Sequence, residues 1–600
     1  MTELSGTFFW NDNLLFEHEA HYIHTAYGTV SFTPESALYD DIHILFDGTL
    51  YNSTLLQSEL NLPDSADTTE VLSEGYRKWG IASLLRRAEG IFSLVLFDER
   101  SQKLILARDH TGVKPLYYYH TQKFFAFSSS LRKLSEKPFF EKRLSSGALS
   151  DYFTYGFILQ PETIFDKCHK VRSGHFLVYD ISQRTLHEER YWGLGACYDQ
   201  CKLDMDEVSL QQEIERVFYK SLQKRLVGIS DYGVALSGGY DSSTLAALLQ
   251  SQSSRKIKTF TIGFEDAEFN EAPDAKKIAV HLGTEHTEYY FTAQDALQTV
   301  PMLPEVFDEP FFNNGAIPTI LLAKIVHGSE TKNLFVGDGG DEVFATADDV
   351  ERFEQILGFP RTIRRGAAKL LAAIDPTGLP YLRHYKNAPT RYYKMVQLLN
   401  AEDIPRMVQL RMMLFYPHEQ RKLLQKEAQT ERNLFSQIGF GKHAEGVDQI
   451  IGSYFKSLLI NAELVKTTQT LGYYGIDPRT PYLDKELIAL MARVPGALKI
   501  KGGVKKYFLK NIAYAYIPKA LLDRPKRGFS IPFSHWMRKE LRGLLEETLS
   551  ETKMHRDGLF DAGYVTQIKR EFYRGNEDYK YKLWAIFLFQ LWYDRHMGYC

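Results

Sequence analysis

The turn Ser237-Gly-Gly-Tyr-Asp-Ser-Ser243 is the stretch best equipped for chemistry. It ends the short apolar run YGVAL (232–236) and opens the helical pattern SSTLAALLQS (242–251). In an open parallel sheet, ligands gather beyond the carboxyl ends of strands, where loops run into helix N-termini. Ser237, Gly238 and Gly239 leave successive backbone N–H groups free, and glycine lets a phosphate come close. The helix N-terminus favours the anion further. Asp241 would repel a bare phosphate, so its presence points to phosphate bound through Mg²⁺. The lysine of a G-x-x-x-x-G-K-S/T loop is missing, which excludes a kinase-type or GTPase-type phosphate loop. Two glycines after a strand usually serve turn geometry alone; the full SGGYDSS at the end of a buried strand is far more specific.

The elements that must hold this turn come in two styles. Up to about residue 190 the chain alternates short aromatic or alternating runs (TVSFTPE, DIHILFDG, IFSLVLFDE, KLILARD, PLYYYH, KFFAFSS) with turns. One helical pattern, TTEVLSEGYRKWG, lies among them, so antiparallel sheets with a few helices are expected. A polar segment, 193–207, reads as a linker. From 208 onward an amphipathic helix precedes strand YGVAL, and strands IKTFTIGF and NLFVGDGG alternate with helices, which predicts a parallel sheet. Beyond 350 nearly everything reads helical.

Bulk properties bound the rest. Six hundred residues call for two or more domains. With 24% charged residues and a net charge of −3 there is no basic excess for a dedicated nucleic-acid binder. The four cysteines, Cys168, Cys197, Cys201 and Cys600, are too few and scattered for a disulfide framework, and Cys197 and Cys201 lack the spacing of a zinc site. No apolar run approaches the ~20 residues of a membrane span, and the N-terminus carries no signal-peptide pattern. The expectation is a reduced, soluble, cytoplasmic protein without nucleic-acid or membrane partners.

S-G-G-x-D-S-S resembles the pyrophosphate loop of the ATP pyrophosphatases, which split ATP between its α and β phosphates and form adenylates. The surrounding motifs narrow the resemblance to the synthetase domain of glutamine-dependent asparagine synthetases and β-lactam synthetases. FTIGFEDAEFNEAPDAKKIAVHLGTEH (260–286), DEPFFNNGAIPT (308–319), GDGGDEVF (337–344), DPRTPYLDKEL (477–487), KKYFLKNIA (505–513) and RPKRGFSIPFSHWMR (524–538) follow that family's order. The resemblance covers almost the whole chain, least clearly 345–460. It implies that Ser237, Gly238, Gly239, Asp241 and Ser242 bind the pyrophosphate of ATP, with Asp241 and Asp341 holding Mg²⁺. Leu236, Ile262, Val336 and Gly337 would border adenosine. Asp338 would stand at the reacting centre, and Lys506 close to the α-phosphate, although adjacent Lys505 leaves that assignment good to one residue. In-line attack of a carboxylate on phosphorus needs such metal-bridged phosphates and a cation. Amine attack on the adenylate then needs a base near Asp338.

The first domain is similar to the family's N-terminal-nucleophile glutaminase through FDGTLYNSTLLQSEL (46–60), TTEVLSEGY (68–76), EGIFSLVLFDER (89–100) and ARDHTGVKPLYY (107–118). Its departures fall on the catalytic positions. Thr2 replaces the nucleophilic cysteine and Glu3 the following glycine. Asp47 stands where an asparagine serves the oxyanion hole, and a carboxylate there opposes an oxyanion. The segment that grips glutamine's carboxylate has no room, and the aspartate of the S-D-T-E motif falls on Thr68, with Asp67 adjacent. Thr2 as a nucleophile of its own is the less favoured alternative. The expected architecture is therefore α/β and α+β in two domains. A degenerate glutaminase of antiparallel sandwich type spans 1–192, 193–207 links, and an ATP-pyrophosphatase-like parallel sheet with a large helical part spans 208–600.

Without a glutaminase the amine must be free ammonia or part of the substrate. Relatives lacking the cysteine include β-lactam synthetases and the macrolactam cyclases of lasso peptides, where tethering makes amine attack unimolecular. β-Lactam synthetases carry a tyrosine where this chain has Asp338, and FATADD departs from the family's usual F-G-G-Y. The aromatic-rich helical stretch 345–475, with RTIRRGAAK (361–369), offers surface for a larger substrate. The reading reached is a lasso-type cyclase that joins an Asp or Glu side chain of a precursor peptide to its N-terminal amine. A leader peptidase and a precursor-recognition protein are its candidate partners. An ammonia-dependent asparagine synthetase or a β-lactam-synthetase-like enzyme is the alternative, and a non-catalytic scaffold the second alternative.

Overall fold

The computed structural model describes residues 4–9, 21–25, 28–32, 36–264, 270–374, 388–425, 438–524 and 532–598. The first part holds two six-stranded antiparallel sheets. One runs in the order Cys168–Lys170, Tyr117–His120, Phe124–Ser128, Ser5–Phe9, Gly28–Phe32, His21–Thr25. The other runs Thr185–Arg190, His175–Asp180, Lys103–Arg108, Gly90–Asp98, Ile42–Leu50, Ala37–Tyr39. Their facing sides interdigitate: Phe125 and Phe127 of one sheet meet Leu45, Val95, Phe97, Leu106 and Tyr179 of the other. The outer face of the second sheet packs Ile42, Ile44 and Leu94 under Val71, Leu72 and Leu84 of the helix Thr68–Arg87. Burial on both faces explains why IFSLVLFD is a nearly continuous apolar run, interrupted by Ser93, rather than an alternating one. The helix expected over 68–80 ends its first part at Gly80, whose φ of +70° breaks the helical path.

The second part is built on five parallel strands in the order Glu285–Phe291, Lys258–Phe264, Gly233–Ala235, Asn333–Phe335, Asp477–Arg479. The chain adds two strands on one side of Gly233–Ala235 and then crosses to the other side. The strand order therefore reverses between Gly233–Ala235 and Asn333–Phe335, which is where an open sheet of this kind forms its ligand crevice. The flanking helices Tyr240–Ser251 and Ala272–Leu282 bury Leu245, Leu249, Ala275 and Ile278 toward the sheet.

Two of these strands escaped the sequence reading for definable reasons. Glu285–Phe291 is an edge strand whose residues are mostly exposed, so it carries no apolar run. Asp477–Arg479 is three residues long and contains a proline, which an edge strand tolerates. The expected linker is firmly packed: Leu194, Cys197 and Tyr198 are buried, and Leu203 N–H donates to Arg493 O at 2.8 Å. Among the described residues no helix is long and apolar enough to cross a membrane.

Candidate active site

The two loops at the strand-order reversal face each other. On one side, Ser237 N–H donates to Ser242 Oγ at 3.1 Å, the Ser237 and Ser242 hydroxyls lie 3.0 Å apart, and Gly239 N–H donates to Ser237 Oγ at 3.3 Å. The two serines thus brace the loop from within, while Gly238 holds a left-handed φ of +76°. On the other side, Gly337 and Gly340 let the second loop close on Asp241. A Cβ at Gly340 would lie 2.4 Å from Asp241 Oδ1, and one at Gly337 3.1 Å from the Asp241 Cβ. Leu236, Ile262 and Val336 are buried beside the loops; Leu236 N–H donates to Phe260 O and Val336 N–H to Arg479 O.

Lys506, at the N-cap of the helix Tyr507–Tyr514 with φ +55°, reaches into the same place. Its Nζ is 2.6 Å from both Asp241 carboxylate oxygens and 2.6 Å from Asp341 Oδ1. Burial opposes the charge on Lys506, but Asp241 and Asp341 outweigh it and push the ammonium up to about 12. Lys505 turns outward to Asp348. The structure therefore brings Lys506, not Lys505, to the candidate residues.

Asp338 is half-buried, and Thr467 Oγ1 donates to its Oδ2 at 3.1 Å. Burial raises its carboxyl to about 6, against the pull of nearby Lys466. Thr467, Lys466 and Glu463 all come from one long helical stretch, Gly446–Tyr473, whose middle, Phe455–Glu463, winds as a π-helix. Such insertions rephase a helix and concentrate at functional sites. Glu463 pairs with Lys466 and accepts from Asn313 Nδ2 at 3.0 Å. Burial resists both charges, yet Lys466 holds Glu463 below its usual range, and Glu463 with Asp338 holds Lys466 above its own. These residues were missed from sequence. The available signal was the Glu-x-x-Lys pair inside the largely apolar LLINAELV run and its continuation KTT, together with Asn313 in a motif already singled out.

The donor set suits one kind of cation. Asp241 and Asp341 share the Lys506 ammonium, and the missing Cβ of Gly340 lets that backbone lie close against Asp241 Oδ1. Among the described residues there is no cluster of three or more His, Cys, Asp or Glu side chains fit for a metal. Asp241 and Asp341 would suit a Mg²⁺ that takes its remaining oxygens from phosphate and water.

In the first part, the sequence-flagged Asp47 is buried, and its Oδ1 is 3.1 Å from Lys114 Nζ. Lys114 also lies 3.0 Å from Asp477 Oδ1, on the edge strand of the parallel sheet. Burial opposes the Lys114 charge, but the two carboxylates raise it above its usual range. Asp67 caps the helix Thr68–Arg87, accepting from Glu70 N–H at 2.9 Å. Thr2 lies outside the described residues.

Comparison with known proteins agrees with this layout. The Asparagine synthase family profile matches residues 213–594, and the Glutamine amidotransferase domain profile matches 28–192. The glutamine-hydrolyzing asparagine synthetase 1 of Bacillus subtilis is 26% identical over 571 residues, covering 92% of this chain and 85% of that protein. A putative asparagine synthetase of Mycobacterium bovis is 27% identical over 568 residues, covering 92% and 84%. A second putative one, from Methanocaldococcus jannaschii, is 30% identical over 370 residues, covering 60% and 70%. The chain belongs to the asparagine synthase family. It is an ATP-dependent carbon–nitrogen ligase of the asparagine synthetase type, with a glutamine-amidotransferase-like first part.

Proposed function

We propose that the chain adenylates a carboxylate at the Ser237–Ser242 loop and joins it to an amine that does not come from glutamine. The substrate proposed is a precursor peptide, whose Asp or Glu side chain closes a lasso-type isopeptide macrolactam with its own N-terminal amine. The observation that carries the reading is the Asp47–Lys114–Asp477 chain of ion pairs. An oxyanion hole needs a donor with a free hydrogen. At Asp47 there is an acceptor, tied to a lysine that is itself shared with the other half of the molecule. Glutamine hydrolysis has lost its electrostatic support there, so the amine is best supplied by the substrate.

This reading gives each residue a role. Ser237, Gly238, Gly239, Asp241 and Ser242 cradle the pyrophosphate, while Leu236, Ile262, Val336 and Gly337 border the adenosine. Asp241 and Asp341 would hold Mg²⁺, which when bound neutralises phosphate charge. Lys506 sits between those carboxylates and meets charge developing on the α-phosphate. Asp338, with its carboxyl near 6, is suited to take the proton of the attacking amine. The same reading divides the chain into a silent glutaminase-like unit, 1–192, and a synthetase unit, 208–600.

The names of the relatives favour a second reading, an ammonia-dependent asparagine synthetase acting on free aspartate. ATP–pyrophosphate exchange separates the two. Exchange supported by a core peptide and not by aspartate is expected; exchange with aspartate alone would overturn the peptide reading.

A further inference from the structure

Arg524 opens the last of the sequence motifs and lies directly on the glycine loop, where no role has yet been given to it. A Cβ built on Gly238 would sit 2.6 Å from Arg524 Nη2. The guanidinium is mostly buried, yet its partners are sparse. Nη1 is 3.3 Å from Asp274 Oδ2 and 3.7 Å from Glu271 Oε1, the second beyond hydrogen-bond reach. Nε is buried without a partner among the described residues. A guanidinium offers five donors in a fixed fork that matches phosphate oxygens, so most of that capacity is left over here.

The placement of Arg524 is governed by the loop itself. Asp523, the residue before it, accepts from the hydroxyls of Tyr240 and Tyr514, the latter at 2.6 Å. Those hydroxyls lie 2.9 Å apart. Tyr240 is the first residue of the helix that follows the glycines, so the loop and the backbone carrying Arg524 are tied together. Lys506 approaches Asp241 and Asp341; Arg524 approaches Gly238, so the loop is flanked by two cations at different points.

We propose that Arg524 is a further catalytic residue, binding the pyrophosphate at the Gly238 side of the loop, with Tyr240 and Asp523 as positioning residues. The proposal rests on the loop being the pyrophosphate site. In the adenylation step the carboxylate oxygen forms a bond to the α-phosphorus, and the bond from that phosphorus to the bridging oxygen breaks. The electron pair leaves with pyrophosphate, and the Arg524 N–H groups meet the charge it gains. Phosphate oxygens replace the long contact to Glu271 and satisfy Nε, whereas Asp274 competes for the same guanidinium.

The test is calorimetric binding of inorganic pyrophosphate and of AMP to the full chain with Mg²⁺. R524Q is expected to weaken pyrophosphate by about 10- to 100-fold, the range of a lost charge-assisted contact, and to leave AMP within about twofold. R524K should recover part of the loss, and Y240F should weaken pyrophosphate without touching AMP. D274N, which removes the competitor, should tighten pyrophosphate about threefold. Wild-type pyrophosphate affinity in R524Q, alongside its loss in D241N, would overturn the role of Arg524 alone. Wild-type affinity in both variants would overturn the pyrophosphate reading of the loop with it. Weaker binding in D274N would reduce Arg524 to a structural tie.

Discussion

At the scale of single residues, the site is a contest among charges at close quarters. Asp241, Asp341 and Lys506 form a compact triad in which one ammonium serves two carboxylates. Replacing Asp241 by Asn leaves the shape nearly unchanged but removes one of the two carboxylates on which phosphate-bound Mg²⁺ would depend. ATP–pyrophosphate exchange in D241N is expected to fall by at least about 100-fold, as for loss of a charged group that meets the transition state; an unchanged rate would remove Asp241 from the machinery. The glycines are as constraining as the charges. A methyl on Gly340 would press on Asp241 Oδ1. Gly340→Ala should therefore abolish exchange while leaving the thermal unfolding midpoint within a few degrees.

At the scale of elements, the crevice exists because two short strands end together beside one long helix. Gly233–Ala235, Asn333–Phe335 and the helix Gly446–Tyr473 each contribute one wall, carrying Asp241, Asp338 with Asp341, and Glu463 with Lys466. The Glu463–Lys466 pair is half-buried, so removing one partner costs about 1 kcal/mol. Glu463→Gln should lower the unfolding free energy by that order, measurable by denaturant titration, and depress exchange because Lys466 then turns its charge on Asp338. Much of this was legible in sequence. SGGYDSS and GDGGDE each follow a strand of a recognisable strand–helix alternation, so the phosphate side of the site could be read directly. Glu463, Lys466 and Arg524 could not, because their meaning arises only from contacts across more than a hundred residues of chain. The edge strands were illegible for a different reason: short or exposed strands have no hydrophobic period to detect.

At the scale of the whole molecule, the two halves are joined by buried polar contacts. Lys114 bridges Asp47 and Asp477, Lys485 Nζ donates to Ala88 O at 2.7 Å, and His110 Nε2 meets Leu483 O at 2.7 Å. Burial, reinforced by Lys485, lowers His110 to about 4 from an ordinary 6.5. The unfolded chain therefore takes up a proton between pH 6.5 and 4 that the folded chain refuses. Stability from this group is complete above pH 6.5 and is lost as pH falls toward 4, by about 1.4 kcal/mol per unit at most. His110→Gln can still donate to Leu483 O but has no such proton, so its unfolding midpoint should fall less between pH 7 and pH 5 than that of the native chain. Equal falls would show that His110 does not govern the interface. Under the proposed function the first part is a structural partner, tied to the second through Lys114 between Asp47 and Asp477.

The most direct test of that account measures glutamate and AMP in the same reaction, with ATP, Mg²⁺, glutamine and a peptide carrying both an acidic side chain and a free N-terminal amine. The account predicts AMP and a peptide product lighter by one water, with no glutamate released above the enzyme-free rate. Glutamate appearing in step with AMP, one for one, would contradict it.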